Sequence, residues 1–340
     1  MKNKVLIITN ESIFKNNENH FCDNLDIKSI PEELSKNFEI TLIGRSSKKE
    51  RYHKIQNSKI YAESNIFSFI KKINLILKQN ICNKFLIISI TPYTFLACVL
   101  FFFNNKKPFV YLRSDGFEEY KSIFGFLGPF IYNFMFIITS KISNFISCRE
   151  HILKKNKGKI VSPSQLTDKW FKYTKPVSIN KANLLYVGRI KVEKGIFSLL
   201  KIFKNINRNV TLTIVSSKKM HDKIKPLKNI KLLDSQNDDD LINIYDQSNI
   251  FILPSFTEGH PQVLDEALAR LRPVIVFKEI EHVKRSRPGV FVCERNIFSL
   301  EKQIDFILKN FKNIQNEIEK NTDKLPTRKS FIKELENLLI

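Results

Sequence analysis

The 340-residue chain lacks cysteines paired closely enough to form a disulfide framework or a zinc site. Cys22, Cys82, Cys98, Cys148 and Cys293 are odd in number, widely spaced and without a CxxC. That usage fits a reducing compartment. A signal peptide is also missing, because the apolar run Val5–Ile8 in MKNKVLIITN is short and gives way at once to polar residues. The expectation is a protein that stays inside the cell. The longest hydrophobic stretch, Ile123–Thr139, approaches the length of a bilayer span, but Gly125, Gly128, Pro129 and Asn133 interrupt it, which argues against a transmembrane helix. No repeat of solenoid length is present. Nor is there an RRM, KH or helix-turn-helix pattern, and aromatics do not interleave with Lys and Arg as in a stacking surface.

What is present is a chain with 43% hydrophobic residues, long enough for two domains of ordinary size. Its net charge is +22, and residues 1–165 carry 25 Lys and Arg against 13 Asp and Glu, a surplus of 12. The excess is therefore spread over the whole chain. It suits anionic lipid, nucleic acid or an anionic substrate, and it is equally what a general Lys, Asn and Ile bias produces.

Short β-branched or aromatic runs alternate with helix-length segments. In the first half they are Val5–Ile8, Phe38–Ile43, Phe85–Ile90, Phe109–Leu112 and Asn144–Ser147. A second series comprises Asn183–Val187, Val210–Val215, Ile230–Leu233, Ile250–Leu253, Val274–Phe277 and Val290–Cys293. Such alternation predicts parallel sheets wrapped by helices, that is, two doubly wound α/β domains in tandem. Residues 161–180, with Pro163 and Pro176 and no clean period, read as the linker, with the boundary near Ser164. The predicted domains are 1–164, 165–325 and a C-terminal helix over 326–340 that packs back toward the first, its apolar face built from Phe331, Leu335, Leu338 and Leu339.

The sharpest local signal is PSFTEGHPQVLDEALA, Pro254–Ala269, a predicted strand end running into a helix. A Gly259-His260-Pro261-Gln262 turn at a helix start, continued by Val263, exposes backbone N–H groups at the positive end of the helix dipole, which suits a phosphate. Glu258 lies in the turn and Glu266 about one helical turn further in, where two carboxylates can accept hydroxyl hydrogens on either side of a bound diphosphate. A second strand-to-helix loop, YVGRIKVEKG, carries Gly188, Arg189 and Lys194. Two cations beside a helix start neutralise a diphosphate leaving group, doing what a divalent metal does elsewhere. Each motif alone is also what a Gly-Pro corner or a solvated basic loop looks like.

Together, the two stretches and LINIYDQSNIFILPS at 241–255 closely resemble the retaining GT-B glycosyltransferases of family 4, the group 1 glycosyltransferases, over roughly 183–308. The resemblance implies two Rossmann-like domains facing each other across a cleft, an acceptor-binding first domain and a donor-binding second one. It further implies transfer of a hexose-like unit from a UDP- or GDP-linked sugar to an acceptor hydroxyl, without metal or further cofactor. In that family the first glutamate contacts the donor sugar, the second the ribose, and the Arg and Lys the diphosphate. Those roles fall here on Glu258, Glu266, Arg189 and Lys194. In place of the glycine pair that many relatives carry after the first strand stands Thr9-Asn10-Glu11-Ser12, so phosphate contact from that loop is not expected. After Phe109–Leu112 comes Arg113-Ser114-Asp115-Gly116, where members commonly present a polar residue, and Asp115 is the acceptor-side candidate, with a turn-forming Asp-Gly pair as the plain alternative.

Another departure is the absence of a glycine-rich turn after Val274–Phe277, where the chain has Lys278 to Pro288. Lys284, Arg285 and Arg287 there either meet an anion or form a solvated basic loop. Asp238-Asp239-Asp240, after Ser235-Gln-Asn, resembles a DxD metal motif but sits where a helix N-terminus favours negative charge. His260 is placed in the phosphate turn facing the sugar, whereas His20, His53, His151, His221 and His282 have no ligand spacing and read as structural. The acceptor is expected to belong to lipopolysaccharide, surface polysaccharide or glycolipid synthesis. The basic first half, with Tyr93–Phe103 and Phe124–Phe136, either rests on an anionic membrane or buries both segments as core helices. A non-catalytic sugar-nucleotide scaffold and a basic nucleic-acid binder are the rival classes.

Overall fold

The computed structural model describes residues 3–206, 209–217, 221–222, 224, 228–234 and 237–340. Two compact units partition the chain, one formed by Met1–Gln165 together with Arg328–Ile340, the other by Leu166–Thr327.

In the first unit the strands are β1 (Lys4–Asn16), β2 (Asn19–Cys22), β3 (Glu39–Ser47), β4 (His53–Ile55), β5 (Lys59–Glu63), β6 (Lys84–Ile88), β7 (Phe109–Leu112), β8 (Asn144–Ser147) and β9 (Gly158–Ile160). Its helices are α1 (Leu25–Leu34), α2 (Ile66–Lys78), α3 (Pro92–Phe103), α4 (Gly116–Phe124) and α5 (Gly128–Ile142). The parallel strands run β5-β3-β1-β6-β7-β8-β9, β2 pairs antiparallel with the far end of β1, and β4 pairs antiparallel with β2. Thr9-Asn10-Glu11-Ser12 is not a loop, as the sequence suggested. The strand continues through it to Asn16, with its register against β3 shifted between Ile8 and Ser12. Gly44 on β3 packs against this stretch, where an added Cβ would lie 2.6 Å from the tip of the Ile13 side chain.

The second unit contains β10 (Ala182–Val187), α6 (Ile196–Phe203), β11 (Val210–Val215), β12 (Ile230–Leu233), α7 (Asp238–Gln247), β13 (Ile250–Leu253), α8 (Gln262–Ala269), β14 (Val274–Phe277), β15 (Val290–Cys293), α9 (Ile297–Lys309) and α10 (Phe311–Glu319). Its six strands are all parallel, in the order β12-β11-β10-β13-β14-β15. The buried strands read as continuous apolar runs, as strands covered on both faces must. Chain order reverses direction between β10 and β13. The crevice so formed at the carboxyl ends is where doubly wound sheets bind ligands.

Residues 161–180 are not a free linker. A short 3₁₀ turn at Asp168–Phe171 buries Trp170 in the second unit's core. Two fully buried arginines, Arg270 and Arg272, hold the backbone around it. Arg270 donates to both oxygens of Asp246 at 2.9 and 2.7 Å and to the carbonyls of Trp170, Lys172 and Tyr173. Arg272 donates to the carbonyls of Tyr245, Lys175 and Asp246. Ser235 and Gln236 lie outside the described residues; the Asp238–Asp240 run forms the first turn of α7, capped by the Asn237 side chain. The final helix, α11 (Arg328–Leu339), buries Phe331, Ile332, Leu335 and Leu339 against the first unit's sheet, where Phe331 meets Tyr111.

Candidate functional site

The two motifs, more than sixty residues apart in sequence, meet at the crevice of the second unit. Gly195 adopts a left-handed φ of 65°, and a Cβ there would lie 1.7 Å from the Pro254 carbonyl oxygen. No other residue fits so close a backbone approach. The amide of Phe256 donates to the Glu193 carbonyl at 2.9 Å, and Lys194 Nζ lies 2.7 Å from Glu258 Oε1. Ser255 Oγ donates to that same oxygen at 2.6 Å. Both bonds use Oε1, which leaves Oε2 its lone pairs for a further donor.

Arg189 is exposed, with its carbonyl fixed by the hydroxyl of the buried Tyr186 at 2.8 Å. Gly188 leaves room for that hydroxyl, which would stand 2.9 Å from an added Cβ. Helices α6 and α8 begin beside this point without side-chain caps, unlike α7 and α9 of the same unit. Their first-turn amides, Gln262 and Val263 among them, are therefore the groups left to bind an anion.

Glu266 faces inward from α8. Tyr245 Oη lies 2.9 Å from its Oε2 and 3.2 Å from the Val263 carbonyl. Burial pushes its carboxyl up to about 7, against the hydrogen bond from Tyr245, which favours the ionised form. The phenol serves both states, donating to Glu266 when it is ionised and to Val263 when it is protonated. A carboxyl whose folded value exceeds its unfolded one contributes stability that is present at acid pH and lost as pH rises through 7. Urea titrations from pH 5 to 8 should therefore show the wild type losing on the order of 2–3 kcal/mol more than Glu266→Gln. Parallel profiles would remove the claim.

Three residues that sequence reasoning left aside, or read as a basic loop, hold this turn in place. His282, treated as merely structural, has Nε2 2.9 Å from the Glu258 carbonyl. Arg287, read as meeting an anionic ligand or lying in a solvated basic loop, is mostly buried and lies 3.0 Å from Asp265 Oδ1. Arg295 stacks over Phe256 and Phe277 and donates to the carbonyls of Pro254 and Ser255. Its fork also binds Glu279, whose carboxyl that hydrogen bond holds below the ordinary range.

His260 was expected to face the sugar from the phosphate turn. Its ring is enclosed, with Nε2 3.1 Å from the buried Asp265 and Nδ1 3.5 Å from Arg285. The residue thus shapes the turn from within, between Gly259 and the helix-starting Pro261. Lys284 remains exposed.

In the first unit Asp115 is the N-cap of α4. Its Oδ1 accepts from the Phe117 amide at 2.9 Å and its Oδ2 lies 3.1 Å from Lys154 Nζ. Nearby in chemistry, though not flagged by sequence, is Glu11 on the extended β1. Desolvation raises its carboxyl against the lowering influence of Arg113, Arg51 and Arg45.

Residues 171–325 match the family described as glycosyl transferases group 1. Among curated proteins, an uncharacterized glycosyltransferase of Haemophilus influenzae is 31% identical over 163 residues, 44% of this chain and 45% of that protein. The capsular polysaccharide biosynthesis glycosyltransferase CapM of Staphylococcus aureus is 30% identical over 135 residues, 36% of each. The alignments thus span about half the length of these relatives or less. Among solved structures, the sucrose-phosphate synthase of Thermosynechococcus elongatus superimposes with a TM-score of 0.72 at 12% identity over 98% of both chains. Anabaena HepE in complex with UDP and glucose gives 0.72 at 11% over 99% of both. WaaG, a glycosyltransferase involved in lipopolysaccharide biosynthesis, gives 0.70 at 12% over 98% of this chain and 99% of its own. These likenesses establish the fold. The chain has the GT-B architecture of two Rossmann-like units, and its residues 171–325 match the model of the glycosyl transferases group 1 family.

Proposed function

We propose that the chain is a retaining, metal-independent hexosyltransferase that moves a sugar from a UDP- or GDP-linked donor to an acceptor hydroxyl in lipopolysaccharide, surface polysaccharide or glycolipid synthesis. The observation that carries this reading is the lock between the two motifs. Gly195 lies against Pro254 and Lys194 against Glu258, so cation, carboxylate and two uncapped helix starts converge at one crevice. Anabaena HepE was solved with UDP and glucose, and the analogy supports a nucleotide-sugar donor here.

In this mechanism Arg189 and Lys194 take up charge as the diphosphate leaves, with first-turn amides of α6 and α8 adding fixed dipoles. Lys194 gives up part of its contact with Glu258 to do so. Glu258 then turns its carboxylate to the sugar hydroxyls. The departing phosphate oxygen accepts the acceptor's proton on the face it leaves, which keeps the anomeric configuration without a covalent intermediate. Asp115 is the acceptor-side group, and the enzyme contributes placement and charge. A cytoplasmic location and a peripheral contact with anionic membrane belong to the same reading.

The test is thermal shift against UDP-, GDP- and CMP-sugars. The true donor at a hundred times its Kd should stabilise by about 2.7 kcal/mol. Glu258→Ala and Glu266→Ala should each weaken that shift and abolish transfer. Because ribose hydroxyls donate to the ionised Glu266, binding near pH 7 should also release a proton, read by calorimetry in buffers of different ionisation enthalpy. A donor shift without turnover on any acceptor would indicate a scaffold. The absence of any shift, with salt-sensitive binding to nucleic acid instead, would overturn the proposal.

A further inference from the structure

Between Lys121 and Lys141 the sequence has no charged residue, and the residues from Gly116 to Ile142 are long and apolar enough in sum to cross a membrane. The structure divides them into two helices. At Gly125 the backbone is left-handed, φ 61°, and Gly128 approaches the Tyr120 carbonyl so closely that a Cβ would lie 2.0 Å from it. Phe117 meets Tyr132 and Phe136 at ring distances of 4.9 and 5.5 Å, and Tyr120 meets Tyr132 at 5.2 Å. Moving up α4 therefore means moving down α5, and the two form an antiparallel hairpin.

One face of this hairpin is core, contributed by Tyr120, Tyr132, Met135 and Phe136. The tip is not. Ile123, Phe124, Phe126, Leu127, Phe130 and Phe134 are all more than half exposed, Phe126 and Phe130 at 78% and 70%. With 15 residues, α5 is about 22 Å long, whereas β8, which it leads into, has four residues and extends about 13 Å. Since α5 packs antiparallel to the strands it feeds, the surplus length carries the tip beyond the carboxyl edge of the sheet. An apolar protrusion of this kind is a costly feature to leave in water.

Charge decides what covers it. Lys121 is exposed on α4. At the base of the hairpin Lys154 Nζ lies 5.0 Å from the Phe117 ring centroid, and Lys155 and Lys157 follow it in the same exposed segment. Around the hairpin and its base the exposed Lys121, Lys141, Lys154, Lys155, Lys157 and Lys159 outnumber Glu118, Glu119, Glu150 and Asp115, the last of which is paired with Lys154. Uncharged aromatics at the end, with lysines set behind them, match the depth profile of an anionic bilayer, with acyl chains below and phosphates above. A second copy of so basic a chain would instead bring like charges together.

We propose that the α4–α5 hairpin is a membrane-insertion element that sinks its aromatic tip into the headgroup and acyl boundary while Lys121, Lys155 and Lys157 bind anionic lipid phosphates. This names the element behind the peripheral contact proposed above and does not depend on the transfer reaction. The experiment is flotation of the full chain with vesicles of phosphatidylcholine alone or of phosphatidylcholine mixed with the anionic phosphatidylglycerol. The wild type should float with the anionic vesicles and less so in high salt. Phe126→Ser/Phe130→Ser should lower partitioning roughly a hundredfold while keeping the donor-induced thermal shift, whereas Glu258→Ala should weaken the shift and still float. Wild-type protein that stays unbound, a double variant that binds equally well, or lipid-free dimers that the double variant dissolves would each overturn the assignment, the last by giving the tip to a second copy.

Discussion

The double variant Arg189→Ala/Lys194→Ala should lower transfer by roughly a thousandfold or more, since removal of a single preorganised charge-stabilising donor already costs about 10²–10³ in turnover. The single variants should separate the two roles. Arg189 is exposed and held only through its backbone, so Arg189→Ala should leave stability within about 0.5 kcal/mol of wild type and reduce turnover alone. Lys194 is different, because it neutralises a Glu258 side chain that is 8% exposed. Lys194→Ala leaves that carboxylate with Ser255 as its recorded hydrogen-bond donor and should lower both turnover and stability. Adding Glu258→Gln should restore the stability and not the activity. Steady-state kinetics beside urea melts decide the matter. Unimpaired transfer by the double variant would take the leaving-group role from both cations.

The sequence foretold the second unit's sheet almost strand for strand because parallel strands buried on both faces must be written as apolar runs. It foretold less of the first unit. Strand β9 is wholly exposed and β4 is three residues of mixed character, and neither leaves an apolar signal. The continuation of β1 through Thr9-Asn10-Glu11-Ser12 looked like a loop because its side chains are polar, and its pairing with β3 after a register shift leaves no apolar signal. The same logic divides the site. Glu258 and Glu266 share one turn and one helix, so their spacing carried meaning. His282, Arg287 and Arg295 reach that turn from beyond β14, and in a chain with 56 Lys and Arg a buried arginine has no local mark that distinguishes it from a solvated one. Ring orientation was equally out of reach, as His260 shows, because its partner Asp265 looked like any first-turn acid of a helix.

Arg270→Ala should destabilise the second unit by about 3–5 kcal/mol, the usual result of removing one partner from a buried ion pair. The loss is more than one bond. Asp246, itself 2% exposed, would keep only Arg272 at 3.5 Å, and the carbonyls of Trp170, Lys172 and Tyr173 would lose a common donor. Arg270→Lys should rescue little of it, since one ammonium cannot bind a carboxylate in bidentate fashion and reach three carbonyls as well. Burial lowers Arg272 to about 10, so it stays charged at neutral pH and still neutralises Asp246, and the cost of the substitution lies in the lost hydrogen bonds. Trp170 is the chain's one tryptophan and packs edge-on to Tyr245 at 5.6 Å inside this cluster. Its fluorescence therefore reports unfolding of this unit, and the urea midpoint read from it should fall for Arg270→Ala while a surface control such as Lys302→Ala leaves it unchanged. A change below about 1 kcal/mol would mean that the segment entering the second unit is held by Trp170 packing alone, without the arginine fork.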